Sequence, residues 1–279
     1  MKGLIQIFKL KIVFLLLFVA GASYLIASRD TFRIDILILL VVSGFLSASG
    51  SSALNNYLDR DIDRIMRRTS SRPLPAGEIN PRSVLLMGSL MIISGLLLAA
   101  WINLITALFV FTGTLIYSWV YTVMLKRRTA LNIVIGGFAG SCSVLAGFSA
   151  AGEYMNIQGI LLSLLIFLWT PPHFWSFALM YREDYRRAGI PMLPAVMDEH
   201  GSRKYTAISA FLLLAFSLAI YLFSFGFVYL IVSILAGLFM GYLALSVLKT
   251  GGYVKTLYKF SGVYIGVLFL GVLVDSLLF

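Results

Sequence analysis

Charge is scarce in this chain: only 12% of its 279 residues are Asp, Glu, Lys or Arg, where a water-soluble domain carries about 25%. Hydrophobic residues make up 60%, and the mean hydropathy is +0.94. So little charge cannot coat a soluble globule, whereas lipid asks for no charged coat. A soluble enzyme and a DNA-binding domain are thereby excluded. The net charge of +10 would suggest nucleic acid in a soluble protein, but basic loops on one side of a membrane explain it here. Cysteine is scarcer still. Cys142 stands alone, which rules out an intramolecular disulfide and a redox pair.

What is present in abundance is apolar sequence in long runs. At roughly 20 residues per crossing, the runs predict an all-α, polytopic transmembrane bundle in one domain, residues 1–279. Nine spans are expected, near 9–28, 34–54, 83–101, 103–122, 130–150, 157–180, 205–224, 226–247 and 260–278. The first follows MKGLIQIFKLK, a signal-peptide-like order, but eight further spans mark it as an uncleaved helix. The third and fourth nearly touch at Ala100-Trp101-Ile102-Asn103, which demands a tight turn.

With the N-terminus in the cytoplasm, this count gathers the basic residues on one face. Lys2, Lys9, Lys11, the run from Arg60 to Arg82, Lys126-Arg127-Arg128, the run from Arg182 to Lys204, Lys249, Lys255 and Lys259 all fall there. Of the 22 basic residues, only Arg29 and Arg33 fall opposite. That asymmetry supports both the odd count and the orientation. Eight of the twelve acidic residues crowd into two loops of the same face: Asp59, Asp61, Asp63 and Glu78, then Glu183, Asp184, Asp198 and Glu199. The positive-inside rule does not require this, so chemistry is sought there.

The first loop begins NNYLDRDIDRIMRRTSSRPLPAG, from Asn55. If the helix continues past Leu54, Asn55, Asp59 and Asp63 share one face, drifting by about 80° over two steps. Two carboxylates and an amide oxygen make a hard-oxygen site of the kind Mg²⁺ prefers. Arg60, Arg64, Arg67, Arg68 and Arg72 supply donors for a phosphate-rich ligand. The plainer reading is a solvated loop laced by Asp–Arg pairs.

The second loop follows LWTPPHFWSFALMYREDYRRAGIPMLPAV, from Leu168. Pro171 and Pro172 predict a kinked or locally unwound helix. His173 and Trp175 follow at once, and a histidine within a span is a functional candidate. It is equally explained by a hydrogen bond to a neighbouring helix, and Trp175 by packing. Arg203 and Lys204 could reach the same cavity. Two acidic centres ringed by basic groups would suit a cation-bridged diphosphate whose hydrocarbon tail lies among the helices, and thus prenyl transfer to a membrane-resident acceptor.

The stretch from Asn55 to Pro75 resembles the first aspartate-rich signature, N-x-x-x-D-x-x-x-D, of the UbiA-type intramembrane prenyltransferases. YTVMLKRRTALNIVIGG, WTPPHFWSFAL and EDYRRAGIPMLP look like the haem-prenylating subgroup of that family. The resemblance implies a helical bundle that binds farnesyl diphosphate through Mg²⁺ at Asn55, Asp59 and Asp63. It implies that Arg67, Arg72, Lys126 and Arg127 steady the diphosphate, and that Asp184 belongs to a second acidic region. It places His173, Trp175 and Tyr185 on the side of the acceptor, haem B. It also implies a multi-pass protein of a prokaryotic cell membrane with its site on the cytoplasmic side, and a haem A synthase or terminal oxidase as candidate recipient of the product.

Two positions depart from the pattern. Met180 stands where many members have the first aspartate of a second D-x-x-x-D, and SCSVLAG replaces a proline pair at residues 141–147. Two other readings remain open at this stage: prenylation of an aromatic quinone precursor or a lipid headgroup, and transport of an anion. Against transport, no second copy of N-x-x-x-D-x-x-x-D is found.

Overall fold

The computed structural model describes residues 6–223 and 225–278; Lys2, counted above, lies outside them. Among the described residues, nine helices are long and apolar enough to cross a membrane. They are α1 (Leu10–Ala27), α2 (Ile34–Leu58), α3 (Pro81–Ile102), α4 (Leu104–Leu125), α5 (Asn132–Ala150), α6 (Ile157–Met180), α7 (Glu199–Leu222), α8 (Phe227–Thr250) and α9 (Val254–Leu278). Large apolar side chains such as Leu86, Leu97, Leu235 and Leu238 are exposed on their outer faces, which suits lipid and not water.

Each span packs against the next in chain order, and α9 returns to α1, closing a ring; α1 also meets α5, and α6 meets α9. Backbone-to-backbone approach makes the α2–α3 seam possible. A Cβ on Gly50 would stand 2.6 Å from the carbonyl oxygen of Gly88, so glycine is needed at that crossing. Ser43 donates to the Gly95 carbonyl oxygen across the same seam at 2.8 Å.

The expected tight turn between α3 and α4 is a single residue: Asn103 ends one helix and caps the next, accepting from the Thr106 N–H. Other local features differ from expectation. The second half of α4, Ile116–Leu125, winds as a π-helix, which composition did not signal. α2 ends at Leu58, and the helix resumes at Arg60–Ile65 after one non-helical residue, Asp59. The Asp63 N–H still reaches the Asp59 carbonyl oxygen at 2.8 Å, so the shared face survives the break. α7 and α9 start at Glu199 and Val254, earlier than the hydropathy suggests, because their first turns are polar.

The expected unwinding at Pro171-Pro172 is absent, for α6 runs unbroken from Ile157 to Met180. Proline's fixed φ is itself helical, and its cost is two missing N–H donors. Close packing supports the segment, with the Thr170 side chain lying against Gly137 of α5. The interruption falls at Gly137 instead, a turn between the helical stretches Asn132–Gly136 and Phe138–Ala150.

Candidate functional site

The end of the bundle that holds the start of α1 also holds the ends of α2, α4 and α6, and their side chains meet. Asn55 is buried in the last turn of α2, and Asp59 and Asp63 are buried just beyond it. The Asn55 amide donates through Nδ2 to Asp59 Oδ2 at 2.8 Å and to Thr122 Oγ1 of the π-helix at 2.9 Å. Its other end, Oδ1, accepts from Lys9 Nζ. Lys126 ion-pairs with Asp59 Oδ2, and Arg72 with Asp63 Oδ2 at 2.9 Å.

The π-helix is what aims this wall. It stacks Tyr117 near Tyr121, ring centroids 6.0 Å apart, lets Tyr117 accept from Lys9 at 3.1 Å, and ends where Lys126 begins. Short π segments recur at functional sites because they shift side-chain register.

Electrostatics within the group are mixed. Burial lowers the Lys9 pKa to about 7, helped by repulsion from Arg72 and Lys126 and partly offset by Asp59 and Asp63. Burial also acts against the charge on Lys126, yet the Asp59 carboxylate outweighs it and its pKa rises.

One atom stands out. Asp59 Oδ1 is buried and has no hydrogen-bond partner, and a buried unsatisfied carboxylate oxygen is costly. Asp59, Asp63 and Asn55 lie together here and could hold a hard cation, although Asn55 presents its nitrogen to Asp59 and its oxygen to Lys9 in this arrangement. No cluster of three His, Cys, Asp or Glu forms among the described residues.

The remaining sequence candidates divide. Asp184 does join the group, through backbone: its carboxylate accepts from the Arg67 N–H at 3.3 Å and the Arg68 N–H at 3.2 Å, and pairs with Arg187. The Arg67 side chain is exposed. Arg127 turns outward, forming two 2.8 Å bonds with exposed Asp61. Arg203 pairs with Glu199 on its own helix.

Trp175 and Tyr185 lie buried in an apolar cluster with Ile62 and Met66, against the aspartate-bearing helix. Burial pushes the Tyr185 phenol up. His173, two residues before Trp175, points elsewhere. Its Nδ1 is bonded to Ser261 Oγ of α9 at 2.8 Å, and its ring lies between Trp169 and Tyr258, with centroids at 4.4 and 4.7 Å. An aromatic path links it back: Tyr258 touches Phe177, and Arg68 lies 4.9 Å over Phe177.

Lys9, Tyr117 and Thr122 enter the site from the structure. Lys9 was concealed among residues that membrane orientation already explains. The polar Tyr117 and Thr122 near the end of a span, just before a basic triplet, were the available signal for the other wall.

A family model described as UbiA prenyltransferase family matches residues 15–261. The chain is similar to a protoheme IX farnesyltransferase of Sulfolobus acidocaldarius, 37% identical over 276 residues, spanning 98% of this chain and 96% of that one. It is also similar to one of Metallosphaera sedula, 39% identical over 265 residues, spanning 94% and 92%. A solved UbiA homolog from Archaeoglobus fulgidus, bound to GPP and Mg²⁺, shares its fold with a TM-score of 0.73 at 18% identity, covering 97% of this chain and 99% of that one. A digeranylgeranylglyceryl phosphate synthase structure superposes with a TM-score of 0.81 at 21% identity, covering 100% and 99%.

Proposed function

The chain belongs to the UbiA prenyltransferase family, and on that premise we propose that it transfers the farnesyl group of farnesyl diphosphate to a vinyl group of haem B. Water adds in the same reaction, giving haem O and diphosphate. The observation that carries the donor half is the buried, unpartnered Asp59 Oδ1 beside Asn55 and Asp63, faced by Lys9, Lys126 and Arg72. The acceptor half rests on the relatives that bear the farnesyltransferase name along nearly their whole length.

Asn55, Asp59 and Asp63 would hold Mg²⁺, which when bound neutralises charge growing on the departing diphosphate. Arg72 and Lys126 supply fixed cationic donors to the same oxygens, Lys9 adds a further N–H donor, and all need little reorganisation as the C1–O bond breaks. Arg67 and Arg127, on the exposed rim, steer the anion inward. Asp184 holds the Arg67–Arg68 turn by its backbone; with Met180 four residues earlier, a second cation site is not part of this reading. The allylic cation left at farnesyl C1 is attacked by the terminal vinyl carbon, and water captures the resulting cation beside the porphyrin. Trp175 and Tyr185 wall the acceptor side nearest the aspartates, and His173 on α6, fixed by Ser261 of α9, orients the porphyrin.

Purified protein incubated with haem B, farnesyl diphosphate and Mg²⁺ should yield haem O by mass analysis. A hydroxybenzoate offered in parallel should stay unmodified; its prenylation in place of haem would overturn the acceptor assignment. Asp59→Ala and Asp63→Ala should abolish transfer while the protein still accumulates in the membrane, and full activity in both would remove the cation site.

A further inference from the structure

We infer that Ser261 is a positioning residue for the acceptor: it fixes His173 in the tautomer with its proton on Nδ1, which leaves the Nε2 lone pair to ligate the haem iron. Ser261 is fully buried and meets α6 from α9. Its hydroxyl has one proton, and that proton goes to the Tyr258 carbonyl oxygen at 2.8 Å. Toward His173 Nδ1, also 2.8 Å away, the Ser261 oxygen can then only accept. Nδ1 is therefore the ring nitrogen that bears hydrogen, and Nε2 the one that does not.

The hydroxyl follows the habit of the chain. Ser163, Ser176, Ser233 and Ser276 each donate to the carbonyl three residues back, and a carbonyl can only accept. The height of Ser261 is set separately, because its backbone carbonyl oxygen accepts from Trp169 Nε1 at 2.7 Å. Trp169 stands one turn before His173, so one serine holds two consecutive turns of α6. The Trp169 and Tyr258 rings lie on the imidazole at 4.4 and 4.7 Å. With Nδ1 held and the ring clamped, what half-buried His173 offers is its Nε2 edge. A bare nitrogen suits a metal ion and not a propionate oxygen. A ligating histidine commonly donates from its other nitrogen to a fixed acceptor, which sets tautomer and ring orientation. In haem B the metal is the iron.

This rests on haem B as the acceptor, and the test separates the two. The tautomer is read with no porphyrin present, by nitrogen NMR of the histidine-labelled full chain in detergent. Exposed His200 is changed to Asn, so that His173 is the one imidazole left. The Nδ1 signal should be that of a protonated nitrogen and the Nε2 signal that of a bare one; any other assignment overturns the inference. Ser261→Ala should lose this preference and Ser261→Thr should restore it. A ring unchanged in Ser261→Ala also overturns the inference.

Binding of ferric haem B to the same chain is then followed by absorbance and electron paramagnetic resonance, which report an imidazole on the iron. His173→Ala should lose that signature. Ser261→Ala should weaken haem B about tenfold or more, the usual cost of removing a metal ligand's outer partner. Ser261→Thr, which keeps the hydrogen bond, should stay within about twofold. Iron-free protoporphyrin gives Nε2 nothing to ligate, so there Ser261→Ala should cost nothing. An equal loss for both porphyrins, or haem B bound without the imidazole signature, overturns the inference and leaves the acceptor standing. Failure of the unaltered chain to bind haem B overturns both. Should Ser261→Ala fail to accumulate, Ser261→Cys replaces it, and the nitrogen signals of the unaltered ring decide the tautomer without either variant.

Discussion

Lys126 and Arg127 are neighbours in the chain with opposite fates. The Lys126 and Asp59 side chains are 14% and 3% exposed, whereas those of Arg127 and Asp61 are 42% and 62% exposed. Removing one member of a buried pair strands the other charge and costs about 3–5 kcal/mol, while an exposed pair contributes about 0–1 kcal/mol. Lys126→Met should therefore lower kcat/KM by about a hundredfold or more, and Arg127→Ala by no more than about threefold; steady-state kinetics over a farnesyl diphosphate series distinguishes them. The triplet Lys126-Arg127-Arg128 showed three equivalent charges in sequence. Nothing in one dimension told which would turn toward Asp59, because that depends on where a π-helix ends. Asn55, Asp59 and Asp63 were legible for the converse reason: their four-residue spacing survives even the break at Asp59, which changes the backbone at one residue and leaves the face intact.

Among the elements, hydropathy alone revealed that nine spans exist, since lipid-facing surface has to be apolar all along its length. It missed the starts of α7 and α9, where Glu199, Arg203, Lys255 and Lys259 sit in helical turns beyond the apolar stretch. It also had no means of finding the π-helix, whose composition equals that of an α-helix. Register there is testable. Deleting one residue between Ile116 and Leu125 should turn Lys126 away from Asp59 and abolish transfer, while helix content by circular dichroism stays unchanged. The α2–α3 seam makes a second prediction. Gly50→Val places methyl groups against the backbone of Gly88 and should destabilise the bundle by about 1–3 kcal/mol, the usual cost of overpacking, seen as a lower midpoint in a thermal scan in detergent.

At the scale of the whole molecule, the nine spans among the described residues put Leu10 and Leu278 on opposite sides of the bilayer, with the candidate site at the end that holds the start of α1. The basic loops predict that this end faces the cytoplasm. In a Cys142→Ser background, a cysteine at exposed Ser70 should react with an impermeant maleimide only in inside-out vesicles, and one at exposed Tyr154 only in right-side-out vesicles; the reverse pattern would invert the orientation. The grip of Asp184 on the backbone of Arg67 and Arg68 spans 117 and 116 residues of chain. On the ribosome, the aspartate-bearing turn is therefore made, behind its already completed span α2, well before its anchor exists. Four spans insert between the two, and the pocket closes only as α6 clears the translocation machinery. A nascent chain stalled before that point would carry both aspartates and neither the anchor nor a competent site, so that prenyl transfer is withheld until synthesis is more than half complete.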